Sequence, residues 1–243
     1  MLNFFKFNDI SSADMGLVIE KLPRRTVPQK RVTPYAIPGR SGDLHQWDGS
    51  YENYEQSYRC WFRSDPVPEQ VHKIAEWLHN APFGARLEDS YDDDVYHLAS
   101  YIGGDEIESI TSRLAKFTVS FDVAAPAYLT SGDSALTITN GGLLNNTTGR
   151  ESLPLIEVTG SVSGLVKIGE YSLTLLFPGY DDVRTIYVDC ELREAWEVVD
   201  GVEVCTNTVV ATKKFPRIAP GTNKIEITGG IETVRVWPRW WKL

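Results

Sequence analysis

Phe117, Val119, Phe121 and Val123 alternate one for one with Lys116, Thr118, Ser120 and Asp122. Successive side chains of an extended chain point to opposite sides, so this spacing separates apolar from polar groups only in a strand with one buried face. The same period recurs where Tyr54, Tyr58, Cys60 and Phe62 oppose Glu55, Ser57 and Arg59. A helical period of useful length is found once. After the start signal Ser64-Asp65-Pro66, Val71, Ile74, Ala75 and Leu78 fall at i, i+3, i+4 and i+7, and Asn80-Ala81-Pro82-Phe83-Gly84 ends the run. One helix lying across a sheet predicts a small α+β domain.

Around this pair the chain reads as more strands. Phe4, Phe5 and Phe7, a turn at Asn8-Asp9 and Ser11-Ser12, then Leu17, Val18 and Ile19 predict strand, turn, strand over 3–20. Further strands are expected at 96–102 and 106–110. Ala124-Ala125-Pro126-Ala127 is read as a break, which places a domain boundary at Tyr128, with domains 1–128 and 129–243. Beyond it short β-rich runs recur at 136–139, 155–159, 162–168, 172–177, 185–189, 195–199, 202–205, 224–228 and 233–237. Asn140-Gly141-Gly142, Pro178-Gly179, Asp200-Gly201, Pro220-Gly221 and Gly229-Gly230 separate them as turns, Asp200-Gly201 being a candidate two-residue hairpin. Strands so spaced suggest a β-sandwich. The whole is mainly β with one helix.

Between two strands of the first domain lies Tyr35-Ala36-Ile37-Pro38-Gly39-Arg40-Ser41-Gly42-Asp43-Leu44, followed by Trp47-Asp48-Gly49-Ser50-Tyr51-Glu52-Asn53. Pro38 fixes its own φ and lacks a donor, and Gly39 and Gly42 tolerate φ > 0, so this is a shaped turn presenting Arg40 and Asp43. The run Pro38, Gly39, Arg40, Ser41, Gly42, Asp43, Leu44 resembles the PGRSGDL signature of the distal tail protein family of long-tailed phages. The opening Phe7-Asn8, Ser11-Ser12, Met15-Gly16-Leu17 and the closing segments 215–225 and 238–243 resemble the same family, so the resemblance runs from end to end.

That resemblance implies a structural protein of the virion tail tip, made in the host cytoplasm. It implies a homo-hexameric ring in which the N-terminal domains form the wall of a DNA channel, and a galectin-like second domain facing outward. The implied partners are the tail tube protein, the tail-associated hub protein and peripheral or receptor-binding baseplate proteins. DNA passes without specific binding. The chain has no room for an inserted carbohydrate-binding module, so adhesion is expected to be delegated.

Charge agrees with that expectation. A formal net charge of −9 argues against gripping nucleic acid, whose phosphates call for a surplus of Lys and Arg, and suits a surface past which DNA slides. Within this acidic chain, 21–31 carries Lys21, Arg24, Arg25, Lys30 and Arg31 and no carboxylate. Such a run marks either a solvated strand face or a docking surface for a subunit or partner, meeting an acidic surface such as Glu88, Asp89, Asp92, Asp93 and Asp94 on a neighbour, or one on a docked tail protein.

No catalytic, cofactor or metal site is expected. His72 and His79 share a helix face seven apart, wider than a metal pair needs, and His45 and His97 stand elsewhere. The acidic run 88–94 lacks the EF-hand pattern, and no nucleophile elbow, metalloprotease helix, P-loop or dinucleotide fingerprint occurs. Cys60, Cys190 and Cys205 are scattered and odd in number, so they are expected as core or half-buried thiols. Asn146-Thr147-Thr148 fits a glycosylation acceptor but lacks a secretory route. No stretch is apolar enough for a membrane helix. Trp237, Trp240 and Trp241 could stack on sugars, though aromatics more often close a core or an interface. A carbohydrate-binding adhesin working through the sandwich is therefore the competing reading.

Overall fold

The computed structural model describes residues 3–104, 106–177, 183–212 and 214–243. It divides after Ala127 into two compact units. The described residues are mostly β, with a single α-helix.

In the first unit one antiparallel path runs Ile10–Ser11, Phe5–Phe7, Ala85–Asp89, Val95–Ser100, Leu114–Leu129, Tyr54–Arg63 and Val18–Ile19. Its spine is the pairing of the two alternating segments, in register from Leu114 opposite Arg63 to Val123 opposite Tyr54. Their apolar faces supply Tyr58, Cys60, Phe62, Val119, Phe121 and Val123, none more than 2% exposed. The helix Val67–Asn80 packs Ile74, Trp77 and Leu78 into the same core. Trp77, outside the expected stripe, stacks on Phe5 and donates its indole N–H to the carbonyl of Phe7. Phe5 also stacks on Tyr58 at 4.6 Å, and each such buried ring contributes about 1.5–3 kcal/mol.

Two expectations change here. Ala124 to Ala127 do not end the strand, which continues to Leu129. Pairing with Tyr54–Arg63 stops at Val123, so Pro126 stands where no ladder bond from its nitrogen is needed on that side. Ala85–Asp89, where no strand was expected, pairs with Phe5–Phe7. The carboxylate of Asp89 at its end accepts the N–H groups of Tyr91 and Asp92 and the hydroxyl of Tyr58, which explains part of the acidic run as turn chemistry.

The second unit is built on two long strands, Leu155–Ile168 and Gly221–Trp237, each of which had been expected as two. Their first and last portions, around Ile156 and Val236, pair with Leu136–Ile138 and Arg184–Asp189, beyond which lie Glu194–Val199 and Val202–Cys205. Their other portions, around Val166 and Ile227, pair with Tyr171–Leu175 and with Leu143–Asn146. Both portions feed one core, Ile156, Val158, Ile186 and Val234 from the first and Val166, Leu173, Leu175 and Ile225 from the second.

Gly229-Gly230 is therefore a bend inside a strand and not a turn. The register slips between Gly160 and Gly164 opposite it. A Cβ on Gly160 would stand 2.6 Å from the carbonyl oxygen of Gly230, and one on Gly164 would stand 2.5 Å from that of Thr228. The two backbones approach too closely here for any side chain, the usual reason for glycine inside a strand. Asp200-Gly201 does form the two-residue turn, with φ of 51° and 80°. The turn expected at Pro178-Gly179 lies outside the described residues.

Candidate functional site

The segment singled out by sequence stands at the tip of a separate two-stranded sheet, Lys30–Tyr35 with Leu44–Tyr51. Val32 lies opposite Trp47, Pro34 opposite His45 and Tyr35 opposite Leu44. At the tip, the N–H of Arg40 donates to the carbonyl of Ile37 at 3.1 Å, with Pro38 and Gly39 between them and Gly39 at φ 80°. Proline second and a positive-φ glycine third is a type II turn, so the order Ile37-Pro38-Gly39-Arg40 specifies it locally. Gly42 repeats the positive φ at 82°. Pro38, Gly39, Arg40, Ser41, Gly42, Asp43 and Leu44 are all exposed.

The residues after the signature fasten its base. The carboxylate of Asp48 accepts both the N–H and the hydroxyl of Ser50, at 2.8 and 2.7 Å, and those bonds hold its carboxyl below the usual range. Gly49 takes φ 93° inside this loop. The Trp47 indole donates to the carbonyl of Ser50 and its ring packs edge-on against Tyr51, while the ammonium of Lys30 sits 4.6 Å over it. Glu52 N–H donates to Gln29 carbonyl, and Asn53 donates to Asp122 of the long strand.

The faces of this hairpin are unusual. Side chains opposite one another share a face, so Val32 and Trp47 lie on one side, and Tyr35 and Leu44 on the other. These four, with Ile37, are between 40% and 48% exposed. Both sides of a sheet that belongs to no core therefore carry apolar pairs.

The basic run is divided by the structure. Arg25 lies 3.8 Å from Asp89 and 3.6 Å from Asp92 of the same chain, so part of the acidic run expected on a neighbour is met from within. Lys30 belongs to the hairpin base, and Arg31 lies close enough to Asp48 to help keep it ionised. Lys21 and Arg24 line a cleft of about 400 Å³ with the exposed Leu22 and, from the strand Tyr54–Arg63, Glu55, Ser57 and Arg59.

Other residues weighed from sequence have local duties. His72 and His79 are exposed on the helix, and His97 is half-buried with Nδ1 3.3 Å from the Tyr54 hydroxyl. No cluster of three or more metal-ligating side chains stands together among the described residues. Asn146 is buried and its amide donates to the carbonyls of Arg150 and Ile218, which makes it a loop anchor. Trp240 is in the core, Trp241 donates to Glu151 carbonyl, and Trp237 lies under Arg235. Cys60 and Cys190 are buried, with desolvation pushing the Cys60 thiol up to about 12, whereas Cys205 is exposed and so departs from the expected core or half-buried placement. No described helix is long and apolar enough to cross a membrane.

Solved structures share this architecture. The SPP1 Dit protein, presented as a paradigm of hub adsorption apparatus in Gram-positive-infecting phages, superposes with a TM-score of 0.69 at 12% identity, over 97% of this chain and 98% of that one. The chain has a Dit-like fold. Chains of the phage P2 baseplate in its activated conformation, with calcium and with strontium, follow at TM-scores of 0.59 and 0.58 and identities of 10% and 9%, again over 97% of this chain and 98% of theirs. No family model and no curated protein matches the sequence. The Dit likeness therefore lives in the backbone, apart from the short segments quoted above.

Proposed function

We propose that this chain is a structural distal tail protein of a phage tail tip, which closes into a ring of six copies joining the tail tube to a hub protein and leaving a channel for DNA. The observation that carries this reading is the hairpin Lys30–Tyr51. An isolated two-stranded hairpin is marginal in water, and apolar pairs on both of its faces call for cover that the described residues do not provide. In a ring, a patch on one copy meets a different patch on the next, which is how a projecting arm finds its cover.

On this reading the turn Pro38 to Leu44 shapes the ring wall. The cleft beside Lys21 and Arg24 receives a tail partner, and the second unit, a galectin-like sandwich, faces outward toward peripheral baseplate proteins. The net charge of −9 keeps passing DNA from sticking. The protein performs no bond-making.

Native mass spectrometry of the purified protein, followed by electron microscopy, tests this. The expected result is a six-fold mass and ring-shaped particles with an open centre. A monomer at every concentration, with and without tail tube protein, would overturn it.

A further inference from the structure

Val202–Cys205 is the last strand of its sheet, with Glu194–Val199 on one side and no strand on the other among the described residues. In a two-residue hairpin the pair flanking the turn exchanges hydrogen bonds, here Val199 with Val202, and the pattern alternates along the strand. Val202 and Val204 thus direct their backbone groups inward. Glu203 and Cys205 direct theirs to the open edge.

The side chains add a second observation. Val188 faces Ala195 in the core, and by alternation Val199, Val202 and Val204 lie on that same side of the sheet. Yet they are 45%, 62% and 42% exposed, forming an apolar ledge set off from the core by Glu197, which shares their face and stands opposite Val204. Charge adds a third. The stretch 194–205 contains Glu194, Glu197, Asp200 and Glu203 and neither Lys nor Arg. Glu197 is bound by Arg184, which leaves Glu194, Asp200 and Glu203 exposed around the edge.

We infer that this edge is a strand-addition site for an extended segment of another protein, one with alternating apolar and basic side chains. Backbone groups would pair with Glu203 and Cys205, apolar side chains would cover the valine ledge, and basic ones would meet the carboxylates. A second copy of the same edge is a poor occupant, because pairing it with itself brings Glu203 and its neighbours against like charges. The inference rests on the second unit alone and stands whether or not the first unit builds a ring.

A fluorescein-labelled heptapeptide of alternating lysine and valine, titrated into the full-length protein at low salt and followed by anisotropy, is the probe. Saturable binding is expected, weakened about tenfold or more by Glu203→Lys, a change at an exposed side chain that leaves the melting temperature in place. The same peptide N-methylated at alternate residues, which removes its donors toward the edge, is expected not to bind. Absence of binding by the unmodified peptide overturns the proposal. So does equal binding by a glutamate and valine peptide, by the N-methylated peptide, or to the Glu203→Lys protein. Self-association of the wild type that disappears in Glu203→Lys would replace the proposed partner with a second copy, and overturns it too.

Discussion

The side-chain amide of Asn53 donates to the carboxylate of Asp122 at 2.7 Å, tying the foot of the exposed hairpin to the strand that forms the spine of the first unit. Both groups are reachable by water, so Asn53→Ala is expected to cost no more than about 1 kcal/mol of global stability. Its larger effect is expected in the hairpin itself. Amide exchange over 30–51 should quicken, while exchange over 114–123 stays as it was.

Gly39→Val tests the turn apart from the core. A Cβ at Gly39 meets nothing within 4 Å, so the penalty comes only from φ 80° and amounts to about 1–2 kcal/mol at the tip. The melting temperature is expected to hold and, if the proposed ring forms, its assembly is expected to be reduced in native mass spectra. A variant that both melts and assembles like the wild type removes the turn from the ring wall.

Gly164→Val is the opposite case. The new side chain would press on Thr228 carbonyl and on Ile231, between two strands that cannot part without opening the shared core. The loss is expected to be about 3 kcal/mol, read as a lower urea midpoint.

Arg239 grips Asp189 with two nitrogens, at 3.0 and 2.7 Å, and the same carboxylate accepts the N–H groups of Glu191 and Leu192. Burial pushes the Asp189 carboxyl up, but the Arg239 bonds and these N–H donors outweigh it and hold it low. Arg239→Ala leaves a carboxylate that is only 3% exposed without its cation, and a loss of about 3 kcal/mol follows. The double variant Arg239→Ala, Asp189→Ala is expected to recover part of that loss.

His97 is expected to make the first unit sensitive to mild acid. Burial lowers its pKa below the ordinary 6.5, against a smaller upward pull from Asp89. The unfolded chain then binds the proton more readily than the folded one, so this contribution is whole above 6.5 and is lost as pH falls below it. Carboxylates such as Asp189, already held below 3.8, titrate in a lower window. A melting curve is expected to shift downward between neutral and mildly acidic buffer, and to shift less in His97→Gln.

Much of this architecture was legible along the chain because it depends on neighbours a few residues apart. Alternation at 54–62 and 116–123, the helical period from Val71 to Leu78 and the turn residues Asp200-Gly201 each specify their geometry locally. So does Ile37-Pro38-Gly39-Arg40, where proline and a positive-φ glycine leave one turn type open. The exceptions have long-range causes. Gly229-Gly230 reads as a turn until Val162 and Gly164 come against it across the sheet. Pro126 reads as a strand end until the partner strand stops short of it.

Placement behaved differently from pattern. The order of residues announced a shaped turn with Arg40 and Asp43 on it, but only the folded chain puts that turn on a hairpin that neither core covers. Composition announced basic and acidic runs, but only the fold brings Arg25 of one beside Asp89 of the other. Local spacing settles which side of a strand is apolar, because that depends on backbone geometry alone. Whether the apolar side meets a core, as at Phe121, or solvent, as at Val202, depends on contacts between residues far apart in sequence, and those exist only after the chain has folded.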